Sequence, residues 1–130
     1  MTNSIKLDKW QAADIFERGY SLYRCGKYLA AVDYFRLLTA IQPKQGRYWA
    51  SLGYALKRAG KIEEATECLK AALLVGDATD VDVLFTLAEA LKEQGEDEAA
   101  LAALQHAIPY AEPEFKARLE IIEKVWSNRS

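Results

Sequence analysis

Three glycines, Gly26, Gly60 and Gly95, recur at spacings of 34 and 35 residues, and each has an alanine five positions on: Ala31, Ala65 and Ala100. Each glycine lies between two stretches of helical apolar spacing, so the chain is one helix–turn–helix unit written three times. In arrays of that period no unit buries its apolar face alone, and stability comes from stacking on the neighbours. The period therefore predicts an all-α solenoid. A chain of 130 residues, 51% of them hydrophobic, can bury a continuous core of this kind without metals or disulfides. We expect a single domain over residues 1–130, with repeats at about 12–45, 46–79 and 80–112 and a capping helix at about 113–127.

Within the first unit Ile15, Gly19 and Leu22 share one helical face, and Arg24-Cys25-Gly26-Lys27 ends the helix with a glycine free to adopt the left-handed cap. The next helix places Ala31, Phe35 and Leu38 on one face until Pro43, which lacks a donor, stops it. The second unit repeats this with Trp49, Leu52, Gly53 and Leu56, then Ala65, Leu69 and Ala72. The third has Leu84, Leu87, Ala88 and Leu91, then Ala100, Leu104 and Ala107. Asp80 is a suitable N-cap for the third unit. Pro113 suits a first turn, and Phe115, Leu119, Ile122 and Trp126 follow at helical spacing, as a terminal cap requires. Ile5, Leu7 and Trp10 precede the first unit and either cap it or meet another subunit.

Composition excludes several functions. The net charge is −2 and the basic residues are scattered, so there is no electrostatic footprint for nucleic acid or an anionic membrane. The longest apolar run is Ala99 to Leu104, and the N-terminus lacks the basic start and apolar stretch of a secretory signal, so neither membrane insertion nor export by that route is expected. Cys25 and Cys68 lie in different repeats with no ligand-like spacing, which fits a reducing, cytosolic setting. Cys68 falls on an apolar face and reads as core, whereas Cys25, near a turn, is more reachable. There is no glycine-rich phosphate loop, HExxH pair or GxSxG elbow, and His106 has no second histidine to complete a ligand set. Glu63-Glu64 and Glu96-Asp97-Glu98 open helices, where exposed amide dipoles favour negative charge. No catalytic residue, cofactor or metal is expected.

The segments Trp49-x2-Leu52-Gly53-x2-Leu56, Ala65-x3-Leu69 and Ala72 resemble the tetratricopeptide repeat, and the first unit adds Gly19, Tyr28, Ala31, Phe35 and Pro43. The stretch Tyr20 to Tyr28, together with Pro113-Glu114-Phe115-Lys116, is similar to the class II chaperones of bacterial type III secretion. That resemblance implies a right-handed solenoid and a bacterial cytoplasmic chaperone binding an extended segment of a secreted translocator protein. The chain is shorter at the N-terminus than those chaperones, whose additional helix serves dimerisation, so a homodimer is possible and not required. A chaperone of the needle subunit, grasping an amphipathic helix, and a scaffold working through helix faces remain open alternatives.

The first helix carries more apolar surface than helix pairing needs. Beside Ile15, Gly19 and Leu22, a second stripe runs through Phe16, Tyr20 and Tyr23. The resemblance places the first helix of each unit on a concave face, which implies a groove of Phe16, Tyr20, Tyr23, Arg24, Arg47, Ala50, Tyr54, Lys57, Phe85 and Glu89. Tyrosines would anchor a peptide, and Arg24, Arg47 and Lys57 would meet its carbonyls or carboxylates. The bland alternative is that the N-terminal segment or a second subunit covers Phe16 and Tyr20. With Arg24, Arg47, Lys57 and Arg58 in the first two repeats and Glu89 and Glu93 in the third, the groove would be bipolar. Repeat proteins that clamp a C-terminal carboxylate use a lysine and an asparagine where this chain has Phe16 and Tyr20, so that mode is not expected.

Overall fold

The computed structural model describes residues 8–128. Its first helix, α1 (Lys9–Arg24), begins ahead of the repeat boundary expected at residue 12, because Asp8 and Gln11 form a reciprocal cap. The Gln11 N–H donates to Asp8 Oδ1 at 2.8 Å and the Asp8 N–H to Gln11 Oε1 at 3.1 Å, satisfying two otherwise orphaned amides. The helix ends where Gly26 turns left-handed at φ 79°, which lets the Lys27 N–H reach back to the Leu22 carbonyl at 2.9 Å. Gly60 and Gly95 repeat that turn at φ 85° and 80°.

The same grammar sets out the remaining elements: α2 (Tyr28–Ile41), α3 (Gly46–Arg58), α4 (Ile62–Val75), α5 (Val81–Glu93), α6 (Asp97–Ala107), a 3-10 turn (Ile108–Tyr110) and α7 (Pro113–Ser127). As expected, Asp80 caps α5, accepting from the Val83 N–H at 3.2 Å, and Glu63, Glu64, Asp97 and Glu98 lie in first turns. Each helix packs on the next along the chain, and α3 also meets α5. The first helices of the repeats thus share one face of the stack.

Pairing within a repeat depends on small residues at the crossing. A Cβ on Gly19 would lie 2.7 Å from Phe35 Cε1, and one on Gly53 2.7 Å from Leu69 Cγ. In the third repeat Ala88 occupies this position and is fully buried, as are Ala31, Ala65 and Ala100 on the opposing helices. The core is a string of three clusters. Phe35, Leu38, Leu52 and Leu56 join the first two repeats; Leu69, Val83, Leu87 and Leu91 join the second to the third; Leu84, Leu104 and Leu119 join the third to α7. Trp49 packs against the first two clusters and donates its indole N–H to the Pro43 carbonyl at 2.7 Å.

Polar ties cross the repeat boundaries as well. Arg36 meets Glu64 at 2.6 Å, and the Thr66 hydroxyl donates to Gln94 Oε1 at 2.7 Å. At the end of the stack α7 closes the third cluster with Leu119, and Gln105 donates to Glu123 at 3.0 Å. Trp10, on the first turn of α1, is 84% exposed and so does not cap the first repeat. Ile5 and Leu7 lie outside the described residues. No described helix is long and apolar enough to cross a membrane.

Candidate functional site

The second stripe of α1 forms an aromatic ladder. Phe16 and Tyr20 stack with centroids 6.0 Å apart and Tyr20 and Tyr23 at 6.3 Å, and Tyr28 of α2 meets Tyr23 edge-on at 5.4 Å. Burial differs along the ladder. Phe16 rests on Phe35 and on buried Tyr48, each 5.8 Å away, so its inner edge belongs to the joint between repeats. Tyr20 is 41% exposed. Tyr23, like Phe16, is half-buried, and burial raises its phenol above the ordinary value.

Across from α1, Tyr54 projects from α3. Burial first, then the nearby Asp80 and Asp82, push its phenol up, so it stays a neutral hydrogen-bond donor at physiological pH. Tyr20, Tyr23 and Tyr54 enclose an apolar notch floored by Phe35 and Ser51. Through Ser51 and Tyr54 the notch opens into a cleft of about 510 Å³ between the starts of α3 and α5, edged by Lys44 and Arg47 on one side and Asp77 and Asp80 on the other. Among the described residues the hydroxyls of Tyr20, Tyr23 and Tyr54 have no hydrogen-bond partner within the chain.

Three guanidinium groups cover the ladder. Arg47 stands 4.4 Å over Phe16, Arg24 5.0 Å over Tyr20, and Arg58 5.1 Å over Tyr28, whose hydroxyl also accepts from Arg58 at 2.8 Å. At these distances each cation gains from the ring's negative face.

Other residues expected in the groove are placed less openly. Ala50 is buried, with 8% of its surface exposed, at the base of the cleft. Phe85 packs edge-on against Phe115 of α7 at 5.5 Å, inside the third cluster. Lys57 bridges to Glu89 at 3.7 Å and Glu93 at 4.0 Å, so the positive and negative halves of the face meet and neutralise each other at that point. Bipolarity thus gives way to three arginines, Arg24, Arg47 and Arg58, with no carboxylate within 4.0 Å among the described residues.

Tyr28, Tyr48 and Ser51 complete the arrangement and were not among the expected groove residues. Tyr28 reaches the ladder from another helix through the Gly26 turn, which the periodicity of α1 does not show. Ser51 matters by its smallness, since a large side chain there would fill the notch. Away from this face Cys68 is buried and its thiol is pushed up to about 11, whereas Cys25 and His106 are exposed.

The tetratricopeptide repeat family matches residues 46–75 and 81–112. The fold is that of a tetratricopeptide-repeat protein. No curated protein matches the sequence. Among solved structures, the chain is similar to a type III secretion complex from Aeromonas hydrophila at 23% identity, covering 92% of this chain and 83% of that one, with a TM-score of 0.86. It is similar to the translocator chaperone SycD of Yersinia enterocolitica in complex with a peptide of the translocator YopD (23% identity, 96% and 97% coverage, TM-score 0.84). PcrH, a Pseudomonas aeruginosa protein, in complex with the chaperone-binding region of PopD gives 21% identity, 93% and 94% coverage and a TM-score of 0.86. The repeat assignment read from the glycine period thus extends in three dimensions over nearly the whole chain, including the first unit, which the family match leaves out.

Proposed function

We propose that this protein is a bacterial cytoplasmic chaperone of type III secretion that shelters an extended segment of a translocator protein on the face formed by α1, α3 and α5. The observation that carries this reading is the aromatic ladder with its notch: Tyr20, Tyr23 and Tyr54 present apolar rings and unengaged hydroxyls on the same side of the stack. Tyrosines in that state suit a peptide, because they give large contact area at little cost in side-chain freedom and can hydrogen-bond a backbone. Support comes from solved complexes of similarly folded proteins with segments of YopD, PopD and PopB. The site is built for binding, with no set of nucleophile, base and oxyanion donors converging on it, and we read the protein as non-enzymatic. A homodimer is compatible with the reading, since SycD has been crystallised as one.

The test is co-purification from cells expressing the neighbouring secretion genes, comparing wild type with Tyr20→Ala/Tyr23→Ala by mass spectrometry. A large apolar secreted protein held by wild type and lost by the variant is the expected result. A small needle-type subunit, or apparatus components retained by both, would overturn it in favour of a needle-subunit chaperone or a scaffold.

A further inference from the structure

The charges on the binding face do not balance. Outside the ladder Arg18 and Arg36 have carboxylate partners, Asp14 at 2.9 Å and Glu64 at 2.6 Å, whereas Arg118, 5.8 Å over Phe115, has none within 4.0 Å among the described residues. Arg24, Arg47 and Arg58, on the ladder, have none within 4.0 Å among the described residues. Most acids around this face are already engaged, Glu89 and Glu93 with Lys57, Asp80 in capping α5, and Asp77 in accepting from the Thr79 amide and hydroxyl at 2.8 and 2.7 Å, while Asp82 lies by Tyr54 and pairs with none of the three arginines. The residues outside the described span, 1–7 and 129–130, contain no aspartate or glutamate. A protein of net charge −2 therefore keeps three guanidiniums without a carboxylate partner beside the rings of Phe16, Tyr20 and Tyr28.

Ring contact holds these cations at the face without satisfying all of their N–H donors. A guanidinium lying on a ring has its five N–H donors in a plane, so its free edge offers the fork geometry that a carboxylate fills with two parallel bonds. Arg47 lies in the first turn of α3 and Arg58 at its end, so at 1.5 Å per residue their backbone positions stand roughly 16 Å apart along the helix.

We infer that the segment bound on this face carries carboxylate side chains on both sides of its apolar anchors, the anchors entering the notch between the tyrosines and the carboxylates pairing with Arg24, Arg47 and Arg58. This rests on the peptide-binding reading above and adds to it the charge pattern of the partner. Aromatic rings interleaved with arginines also suit single-stranded nucleic acid. The overall negative charge and the apolar notch favour an acidic peptide instead.

The experiment is fluorescence anisotropy on the full-length protein with short synthetic peptides that share one apolar core of leucine, valine and proline. The core is flanked on both sides by pairs of glutamate, glutamine or lysine, and oligothymidylate serves as a further probe. The expected result is that the glutamate peptide binds about five- to twentyfold more tightly than the glutamine peptide at low salt, with the preference shrinking at high salt. Arg24→Gln/Arg47→Gln abolishes the preference, and Arg24→Lys/Arg47→Lys retains most of it. Equal binding of the glutamate and glutamine peptides, both lost in Tyr20→Ala/Tyr23→Ala, overturns the inference and leaves the groove reading standing. If no peptide binds, or the tyrosine variant binds as well as wild type, the groove reading falls and this inference with it. Oligothymidylate binding as tight as the glutamate peptide overturns the inference in favour of nucleic acid.

Discussion

Tyr20 and Tyr23 are neighbours in the ladder but differ in what they support, and that difference sets what their loss should do. Tyr20 is 41% exposed, whereas Tyr23 packs partly against the first core cluster. Tyr20→Ala/Tyr23→Ala is expected to leave helicity by circular dichroism nearly intact and, on the proposed function, to weaken binding of a translocator segment by about 2 to 4 kcal/mol in titration calorimetry. A collapse of the helical signal would instead show both rings to be core. A backbone residue offers a separate test: Gly60 adopts φ 85° with open space around it, so Gly60→Ala meets strain and no clash. It should lose about 1 kcal/mol in urea unfolding, a conformational cost alone. At this scale the sequence was partly legible. The i, i+4, i+7 spacing of Phe16, Tyr20 and Tyr23 marked the ladder, but the pairing of Lys57 with Glu89 and Glu93, and of Phe85 with Phe115, joins residues far apart in the chain, and no local spacing encodes it.

Among the elements, the turns were the most legible because each depends on one residue type at one backbone angle: a glycine ends the first helix of every repeat, and Pro43 follows the end of α2. The start of α1 was less so, since its cap needs Asp8 and Gln11 to act together ahead of the repeating pattern. One tie between elements and one loop contact have a pH dependence with a definite sign. The hydrogen bond from Arg36 holds the Glu64 carboxyl below its ordinary value of 4.5, and bonds from Thr79 hold Asp77 below 3.8. Depressed carboxyl values stabilise the fold above the unfolded-state value, and that contribution is lost as pH falls through the lower folded value. Thermal melts from about pH 6 down to pH 3 should therefore show a declining midpoint, and Glu64→Gln should flatten the lower part of the decline. Because both groups are solvent-exposed, raising the salt should shrink the Glu64 contribution as well.

For the whole molecule, the string of three clusters implies that damage at one end stays near that end. Leu119 is completely buried between α7 and the third repeat. Leu119→Ala should cost about 2 to 5 kcal/mol, and hydrogen exchange should rise more in α5 and α6 than in α1 and α2. Uniform loss of protection along the chain would mean that the repeats unfold as one unit instead.

The two cysteines give the native chain an optical handle that requires no engineering. Cys25 is exposed at the end of α1 in the first repeat, while Cys68 is buried with its thiol pushed up to about 11. A maleimide fluorophore should therefore label one position at neutral pH, and its emission would report, in real time, whatever comes to lie over the first repeat.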